Sequence, residues 1–376
     1  NSANGKFAFP SLPASYRGLP GMLADALPDD FGNALIDAWM ATKGRAKASV
    51  TSLDRLAYMG SRGMGALEFR PPLSATTAST EPLEMQAMVE ATRRLLRGDF
   101  DGDVHAQAAL ANIIQVGTSA GGARAKAVIA WNPTTHEIRS GQFETPPGFE
   151  HWLLKFDGVG EDQELGTSSD YGRIEHAYFE MATSAGIVMS PCRLLEENGR
   201  AHFMTRRFDR QDNMRHHVQS LCAMDHLDYK QRATHAYEQL FQVIDQLALG
   251  DSSLTQSFRR MAFNVAARNC DDHTKNFGFL LKQGGTWELA PAYDVTHAHN
   301  PDGEWTRQHL MSVNGKFDRI TRADLLVVAE RFSVPHASMA IDAVNEAVGR
   351  WAEFATGAGV WPTESARVAA DHRPLQ

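Results

Sequence analysis

Three side chains that offer oxygen atoms follow one another closely in the last third of the chain. Asp271 and Asn276 are separated by four residues, and Asp294 follows 18 residues after Asn276. Phosphoryl transfer needs one carboxylate to orient and deprotonate the acceptor hydroxyl, and further oxygen ligands to hold Mg²⁺ on the phosphates. Asp271 fits the first role, and Asn276 and Asp294 fit the second. Taken singly, each residue also fits a turn or a helix cap, because Asp and Asn are common there.

The segment DDHTKNF, residues 271–277, also contains a histidine, so a metal hydrolase is an alternative interpretation. A zinc site of the helical type needs a second histidine four residues after His273, and position 277 is Phe277. Zinc is therefore disfavoured. An Asp-x4-Asn loop followed at hairpin distance by another Asp is typical of protein-kinase-like enzymes.

A glycine-rich segment, GTSAGGARAKA at 117–127, lies between two predicted strands. It lacks the Lys-Ser/Thr of a Walker A loop. The backbone N–H groups around Gly121 and Gly122 can nevertheless cover phosphates, and Arg124 and Lys126 add positive charge. A flexible hairpin turn is the structural alternative.

Two further charged residues occupy positions that suit nucleotide binding. Lys155 lies in the predicted strand segment LLKF, where a lysine can pair with the α- and β-phosphates, although a strand lysine more often faces solvent. Glu175 opens the next predicted helix and can either pair with Lys155 or favour the helix N-terminus. The segment RRFDR, residues 206–210, follows a strand, and we expect the backbone near Phe208 to receive the adenine.

The elements that must position these residues change in type along the chain. Apolar spacing predicts helices in the first hundred residues, then mainly strands from about residue 112, and a mainly helical region after about residue 220. Strands followed by helices indicate an α+β, two-lobed, protein-kinase-like fold with the site between the lobes. We expect a sheet-rich N-terminal lobe at 1–205 and a helical C-terminal lobe at 206–376. The predicted elements around the site are strands at 151–156, 202–208, 277–281 and 286–289, helices at 174–187, 322–332 and 337–354, and an irregular tail after 356.

Composition and charge exclude several classes of protein. The 376 residues carry 37 Lys and Arg and 45 Asp and Glu, a net charge of −8, which argues against a protein whose whole surface binds nucleic acid or anionic lipid. With 43% hydrophobic and 22% charged residues the chain has a globular composition. No apolar run is long enough to cross a membrane, and the first residues do not resemble a signal peptide. Three dispersed cysteines predict neither disulfides nor a metal site and favour the cytoplasm.

Seven segments in fixed order make the chain resemble the HipA-like serine/threonine kinases, the toxins of bacterial type II toxin–antitoxin modules. Their order along the chain, rather than any single motif, carries the resemblance, which covers nearly the whole sequence. The segments are LPGMLADALPDDFGNAL, MGALEF, GTSAGGARAKA, LLKF, RRFDR, DDHTKNF and LAPAYDV.

The resemblance implies a role for each candidate residue. Asp271 looks like the catalytic base, Asn276 and Asp294 look like the Mg²⁺ ligands, and Lys155 looks like the lysine that binds the ATP phosphates. Phe208 and its neighbours look like the adenine-binding hinge. ATP and Mg²⁺ are therefore the implied cofactors.

The glycine-rich loop resembles the family's autophosphorylation segment. Ser119 looks like the phosphorylated serine, and Thr118 is an alternative acceptor. In the family, phosphorylation there expels the loop from the ATP site and switches the kinase off. A phosphoserine carries about −1.5 to −2 charge, which such a loop cannot easily keep beside ATP phosphates.

The resemblance also implies partners. Characterised members phosphorylate aminoacyl-tRNA synthetases, which stalls translation, and they pair with a small helix-turn-helix antitoxin that binds operator DNA. DNA would thus be reached only through the antitoxin. Family chains usually begin with a further strand-rich piece, which we expect this sequence to lack, either because the sequence is trimmed or because that piece is a separate polypeptide. Two other functions stay open from the residues: a small-molecule kinase on the same scaffold, and a kinase-like co-repressor without activity.

Overall fold

The computed structural model describes residues 12–28, 30–73, 82–97, 124–158 and 170–376. Both helices and strands occur in these ranges, and the mixed α and β content expected from the sequence is confirmed.

Helices come first in the described part of the chain. The third of them begins at a capping box, in which Thr51 Oγ1 accepts the N–H of Asp54 at 3.1 Å and Asp54 accepts the N–H of Thr51 at 2.9 Å. This reciprocal pair satisfies two backbone donors that a helix start otherwise leaves unpaired. The bounds are Gly21–Ala24 (α1), Asp30–Thr42 (α2), Ser52–Met59 (α3) and Met85–Arg97 (α4).

An antiparallel sheet follows, with five strands in the described residues. The strand order is β2-β1-β3-β5-β4, and a helix, α5, connects β3 to β4. The bounds are Lys126–Trp131 (β1), Ile138–Ser140 (β2), Glu150–Lys155 (β3), Tyr171–Ser184 (α5), Cys192–Glu197 (β4) and Arg200–Arg206 (β5).

The two faces of this sheet have different roles. Ala127, Ile129 and Trp152 belong to a buried cluster that includes residues of α2 and α4, so these helices cover one face. Successive side chains of a strand point to opposite faces. Lys126 and Lys155, which are direct partners in the β1–β3 register, therefore share the other face, toward α5.

The second half of the described chain is mainly helical and is built around one large core. Tyr178 of α5 is fully buried in this core together with Phe241, Phe258 and Val344 from three later helices. Because α5 also contacts the sheet, it connects the sheet to the helical part. The bounds of these later helices are Leu221–Met224 (α6), Tyr237–Gln246 (α7), Gly250–Ala266 (α8), Arg322–Arg331 (α9), Ala337–Gly349 (α10), Trp351–Gly357 (α11) and Pro362–Asp371 (α12).

Short strands border the loop that contains Asp271. The loop leaves α8 and ends with one 3₁₀ turn at Thr274–Asn276, directly before β10. In the described residues β10 is the central strand of a three-stranded sheet with β8 and β11, and this sheet fixes the end of the loop. The remaining bounds are Arg210–Gln211 (β6), Met214–Arg215 (β7), His217–Ser220 (β8), His235–Ala236 (β9), Gly278–Leu281 (β10), Trp287–Leu289 (β11) and Met311–Ser312 (β12).

The prediction of an irregular tail is wrong, because α12 is a regular helix. Pro362 is its first residue, where a missing N–H removes no helical hydrogen bond. Val368 is fully buried, and Trp351 Nε1 donates to the carbonyl of Ser365 at 2.9 Å, so packing rather than propensity holds the helix. None of the described helices combines the length and the apolar character needed to cross a membrane.

Candidate active site

A buried lysine joins the sheet to α5 and to the segment after β11. Lys155 is the last residue of β3, and its ammonium contacts the carboxylates of both Glu175 and Asp294. The side chains of these three residues are 9%, 2% and 23% exposed, so the contacts are largely shielded from water. Three residues that the sequence analysis selected separately therefore form one cluster.

Opposite charges, rather than solvent, keep Lys155 and Asp294 charged. Burial disfavours charge on Lys155, but the carboxylates of Asp294 and Glu175 outweigh it and raise the pKa of Lys155. Burial likewise disfavours charge on Asp294, but Lys126 and Lys155 outweigh it and hold the pKa of that carboxyl well below its usual range. Lys155 and Asp294 are thus both charged at neutral pH.

Two more cations surround the cluster. Arg124 Nη1 lies 3.9 Å from Glu175 Oε2, and Lys126 Nζ lies 3.9 Å from Asp294 Oδ2. Lys126 and Lys155 stand directly opposite each other on neighbouring strands, where like charges repel unless anions compensate them. Three cations thus face two carboxylates, and the excess positive charge suits the binding of phosphates.

Asp271 is the accessible carboxylate beside this cluster. Its side chain is 49% exposed, and His273 Nε2 lies 3.8 Å from its Oδ1. Partial desolvation, together with the neighbouring carboxylates of Asp294 and Asp272, raises the pKa of Asp271 although His273 opposes the shift. A carboxylate with a raised pKa accepts a proton more readily, which suits a general base.

The next residue, Asp272, points into the core instead. Its carboxylate accepts hydrogen bonds from the hydroxyl of Tyr237 and the N–H of Leu310, both at 2.8 Å, and lies 2.9 Å from His309 Nδ1. Burial disfavours charge on His309, but Cys270 and Asp272 outweigh it and raise the pKa of His309 to about 10. The sequence analysis did not select Asp272 or His309, since their pairing depends on a contact 37 residues apart.

The oxygen ligands for a divalent cation are present in suitable form. Asn276 Nδ2 donates to the backbone carbonyl of Asp271 at 2.8 Å, which leaves Oδ1 as the side-chain atom for a cation. Asp294 has φ 53°, in the left-handed region that non-glycine residues seldom adopt and that is frequent at functional sites. Carboxylate and amide oxygens fit Mg²⁺, which keeps several waters and binds few protein ligands. Across the described ranges, no group of three or more His, Cys, Asp or Glu side chains is arranged to hold a metal.

The ring of Phe208 lies over that of Tyr293. The ring centroids are 5.9 Å apart and the planes differ by 27°, so the rings are stacked. Tyr293 directly precedes Asp294, and its hydroxyl donates to the carbonyl of Lys275 at 2.8 Å. The ring pair thus connects the segment after β5 to both loops of the site. Sequence reasoning selected Phe208 and missed Tyr293, although Tyr293 lies in the quoted segment LAPAYDV.

A buried carboxylate ties the N-terminal segment to the residues around Phe208. Asp209 accepts two hydrogen bonds from Arg207, at 2.9 and 2.7 Å, one from Arg210 at 2.7 Å and one from the N–H of Gly65 at 2.7 Å. Burial disfavours its charge, but Arg207 and Arg210 outweigh it and hold the pKa of Asp209 well below its usual range. The RRFDR motif therefore has a structural role besides the predicted hinge.

Part of the predicted phosphate loop lies outside the described residues. This applies to Ser119, Gly121 and Gly122, whose roles stay predictions. Arg124 and Lys126, from the end of the same motif, are described and lie at the cluster.

Family comparisons match most of the chain. The model of the HipA-like C-terminal domain matches residues 118–352, and the model of the HipA N-terminal domain matches residues 5–70. A comparison with curated protein sequences gives no match.

The chain resembles a number of solved structures, among them the following two. A chain from the complex of HipA, HipB and operator DNA of a Shewanella oneidensis MR-1 toxin–antitoxin system is 16% identical, with a TM-score of 0.63. The match covers 93% of this chain and 82% of that chain, and it shows a shared fold. The proinflammatory kinase CtkA of Helicobacter pylori is 13% identical with a TM-score of 0.40, over 66% of this chain and 91% of that chain.

Proposed function

The chain belongs to the family that carries the HipA-like C-terminal domain, and from this premise we propose that it is an ATP- and Mg²⁺-dependent serine/threonine protein kinase. We further propose that it acts as the growth-arresting toxin of a toxin–antitoxin module. In this proposal the chain divides into a sheet-rich lobe at 1–205 and a helical lobe at 206–376, and ATP binds between them.

One observation carries the proposal: Lys155, Glu175 and Asp294 converge beside a loop that holds Asp271 and Asn276. A buried lysine held by a helix glutamate is the arrangement that positions a cation for nucleotide phosphates. An accessible carboxylate and two oxygen ligands complete the groups that phosphoryl transfer requires.

Each residue then has a distinct task. Lys155, with Lys126 beside it, would bind the phosphates of ATP. Asn276 and Asp294 would hold Mg²⁺, which when bound neutralises charge on the phosphates. For Asp294 to reach a cation, its contact with Lys155 must loosen or its second oxygen must be used. Asp271 would orient the acceptor hydroxyl and take its proton at a carboxylate oxygen.

The remaining roles follow the family resemblance. We propose that the adenine lies against Phe208, and that the N–H groups near Gly121 and Gly122 cover the phosphates. Ser119 is the proposed autophosphorylation site that switches the kinase off. The chain would act in the cytoplasm, in keeping with its three buried free cysteines.

The proposed partners are a helix-turn-helix antitoxin and a protein substrate, with an aminoacyl-tRNA synthetase as the first candidate. The likeness to a chain from a complex of HipA, HipB and operator DNA supports the antitoxin partner. DNA contact would come through the antitoxin, in keeping with the net charge of −8.

The test is phosphate transfer from radiolabelled ATP with Mg²⁺, followed by mass spectrometry of the protein. We expect label on the wild-type chain at Ser119, and none in Asp271→Asn or Asp294→Asn. Asp342→Asn is a matched control, because the Asp342 side chain is 63% exposed and pairs with Arg322 of α9, away from the loop that contains Asp271.

The outcomes separate the alternatives. Equal labelling of wild type and Asp271→Asn would exclude Asp271 as the base. Transfer from ATP to a metabolite of a lysate, with no labelled protein, would instead indicate a small-molecule kinase. A chain that does not bind ATP–Mg²⁺ in calorimetry would indicate a co-repressor without activity.

A further inference from the structure

A cavity of about 310 Å³ lies where the N-terminal helices meet the catalytic loop. Tyr16, Asp25 and Pro28 line it from the N-terminal segment, while Tyr229 and Lys275 line it from the helical part. Lys275 belongs to the same loop as the proposed base and directly precedes Asn276. The volume lies at the lower end of the range for ligand pockets and suits one or two side chains.

The cavity is close enough to the proposed base to receive part of a substrate. The ring centroid of Tyr229 lies 5.8 Å from that of His273, and His273 Nε2 lies 3.8 Å from Asp271 Oδ1. An extended peptide advances about 3.3 Å per residue, so two or three residues span about 7 to 10 Å. When a hydroxyl is at Asp271, the residue two or three positions away therefore reaches the cavity.

One of the two carboxylates in the cavity wall is already occupied. Asp25 Oδ2 accepts the N–H of Ser220 at 2.7 Å, and Asp25 Oδ1 accepts the hydroxyl of Ser220 at 2.8 Å. The other, Asp30, is exposed at the start of α2. The acidic groups therefore either hold the N-terminal segment to β8 or face water.

The described part of the cavity wall also contains three cations. Lys230 Nζ lies 6.0 Å from the ring centroid of Tyr229, and Lys275 Nζ lies 5.0 Å from the same ring. Within the described ranges, no carboxylate lies within 4.0 Å of the Lys230 ammonium. Arg17 is the third cation, and it is exposed like Lys230, whereas Lys275 is half-buried. A ring flanked by ammonium groups suits a side chain that combines a short apolar stem with a carboxylate.

We propose that this cavity binds an acidic side chain of the protein substrate, two or three residues from the serine or threonine that accepts the phosphate. The inference rests on the proposed kinase function and specifies the sequence class of its substrate. Lys230 is the residue that selects the acidic side chain, and Tyr229 forms the platform beneath it.

The experiment uses a heat-inactivated bacterial lysate as the mixture of acceptors. The full chain is added with ATP and Mg²⁺, and the phosphorylated sites are identified by mass spectrometry against an Asp271→Asn background. We expect Asp and Glu to be enriched two or three positions from the acceptor, by up to about fivefold, as for an exposed ion pair. Lys230→Glu should abolish that enrichment and favour Lys or Arg at the same positions.

A matched control is available directly after α2. Lys43 is exposed and its Nζ lies 5.9 Å from the ring centroid of Trp39, much as Lys230 stands to Tyr229. Lys43→Glu changes the net charge equally but lies outside the cavity wall, and it should keep the wild-type preference. As a second measurement, synthetic peptides copied from the strongest sites should lose up to about fivefold in kcat/KM when their acidic residue is replaced by its amide.

Several results would overturn the inference. Phosphorylated sites without acidic enrichment, or an unchanged preference in Lys230→Glu, contradict it. A chain that labels itself but no lysate protein also contradicts it, and leaves the proposed kinase activity intact. If neither the chain nor any lysate protein is labelled, the kinase proposal itself is refuted. Loss of antitoxin binding in Lys230→Glu, with an unchanged site preference, would assign the cavity to the antitoxin instead.

Discussion

Replacement of Lys155 by methionine tests whether the buried cluster holds the site together. The change removes the ammonium that contacts Glu175 and Asp294, while methionine keeps most of the side-chain volume. Glu175 is 2% exposed and then lies beside Asp294 without the cation they share. Both carboxylates stay in an environment that does not solvate them well.

The size of the expected loss of stability depends on the charges that remain after the substitution. Breaking a buried ion pair by removing one partner lowers the free energy of unfolding by about 3 to 5 kcal/mol. Arg124 and Lys126 still lie 3.9 Å from Glu175 and Asp294, respectively, and compensate part of the loss. We therefore expect Lys155→Met to lower the free energy of unfolding by about 3 kcal/mol at pH 7.5.

The pH dependence of the free energy of unfolding provides a second test of this prediction. The pKa of Asp294 is held below its usual range in the fold, so its contribution to stability is present above the unfolded pKa of about 4. It is lost as the pH falls through the lower folded pKa. In Lys155→Met the pKa of Asp294 moves back toward its ordinary value. The difference in the free energy of unfolding between this variant and wild type should therefore shrink as the pH falls below about 4.

The assay is urea denaturation of both proteins, with Lys282→Met as a control. Lys282 pairs with Glu288 at 2.9 Å on the surface, and its side chain is 47% exposed, so its loss should lower stability by less than about 1 kcal/mol. A Lys155→Met protein that unfolds at the same urea concentration as wild type at pH 7.5 would refute this account of the cluster.

Three further perturbations follow from the same structure. Asp209→Asn should lower the free energy of unfolding by about 3 kcal/mol in urea denaturation, because it leaves Arg207 beside a neutral group; an unchanged midpoint would contradict this. Asp324, whose pKa is lowered to about 2, accepts the N–H of Thr321 at the start of α9, although burial opposes its charge. Asp324→Asn should therefore lower stability by about 1 kcal/mol at pH 7, and the difference should vanish as the pH falls toward 2, in acid titrations followed by circular dichroism. Phe208→Ala should raise the KM for ATP about tenfold while kcat changes little, and a change confined to kcat would argue against an adenine contact.

Much of the local structure could be predicted from the sequence because its signals are local. The apolar spacing of 174–187 and of the segments after 220 depends on one helix face. The strands that end at Lys155 and Arg206 are indicated by short apolar runs in the same local way. The prediction failed at α12, where the helix is stabilised by Val368 packing into the core rather than by its own residues. Propensity alone does not reveal such a contact.

The candidate site shows the same limit of prediction from sequence. The motif spacing selected Lys155 and Asp294, whose contact links positions 139 residues apart, because a family pattern carries that information. It missed Asp209, which accepts the N–H of Gly65, and the residues that line the cavity near Lys275. These contacts join the N-terminal segment to the helical part, and no periodicity within either segment encodes them.

The loop that contains Asp271 shows how the fold can hold an exposed carboxylate in place. Along 270–274 the side chains alternate: Cys270, Asp272 and Thr274 are buried, while Asp271 and His273 are partly exposed. The buried members fix the backbone through contacts on both sides of Asp271, and Asp272 alone makes three of them. The position of the exposed carboxylate is therefore set by buried neighbours. A substitution at Asp272 must then act on Asp271 through the backbone, even though it leaves every proposed catalytic side chain unchanged.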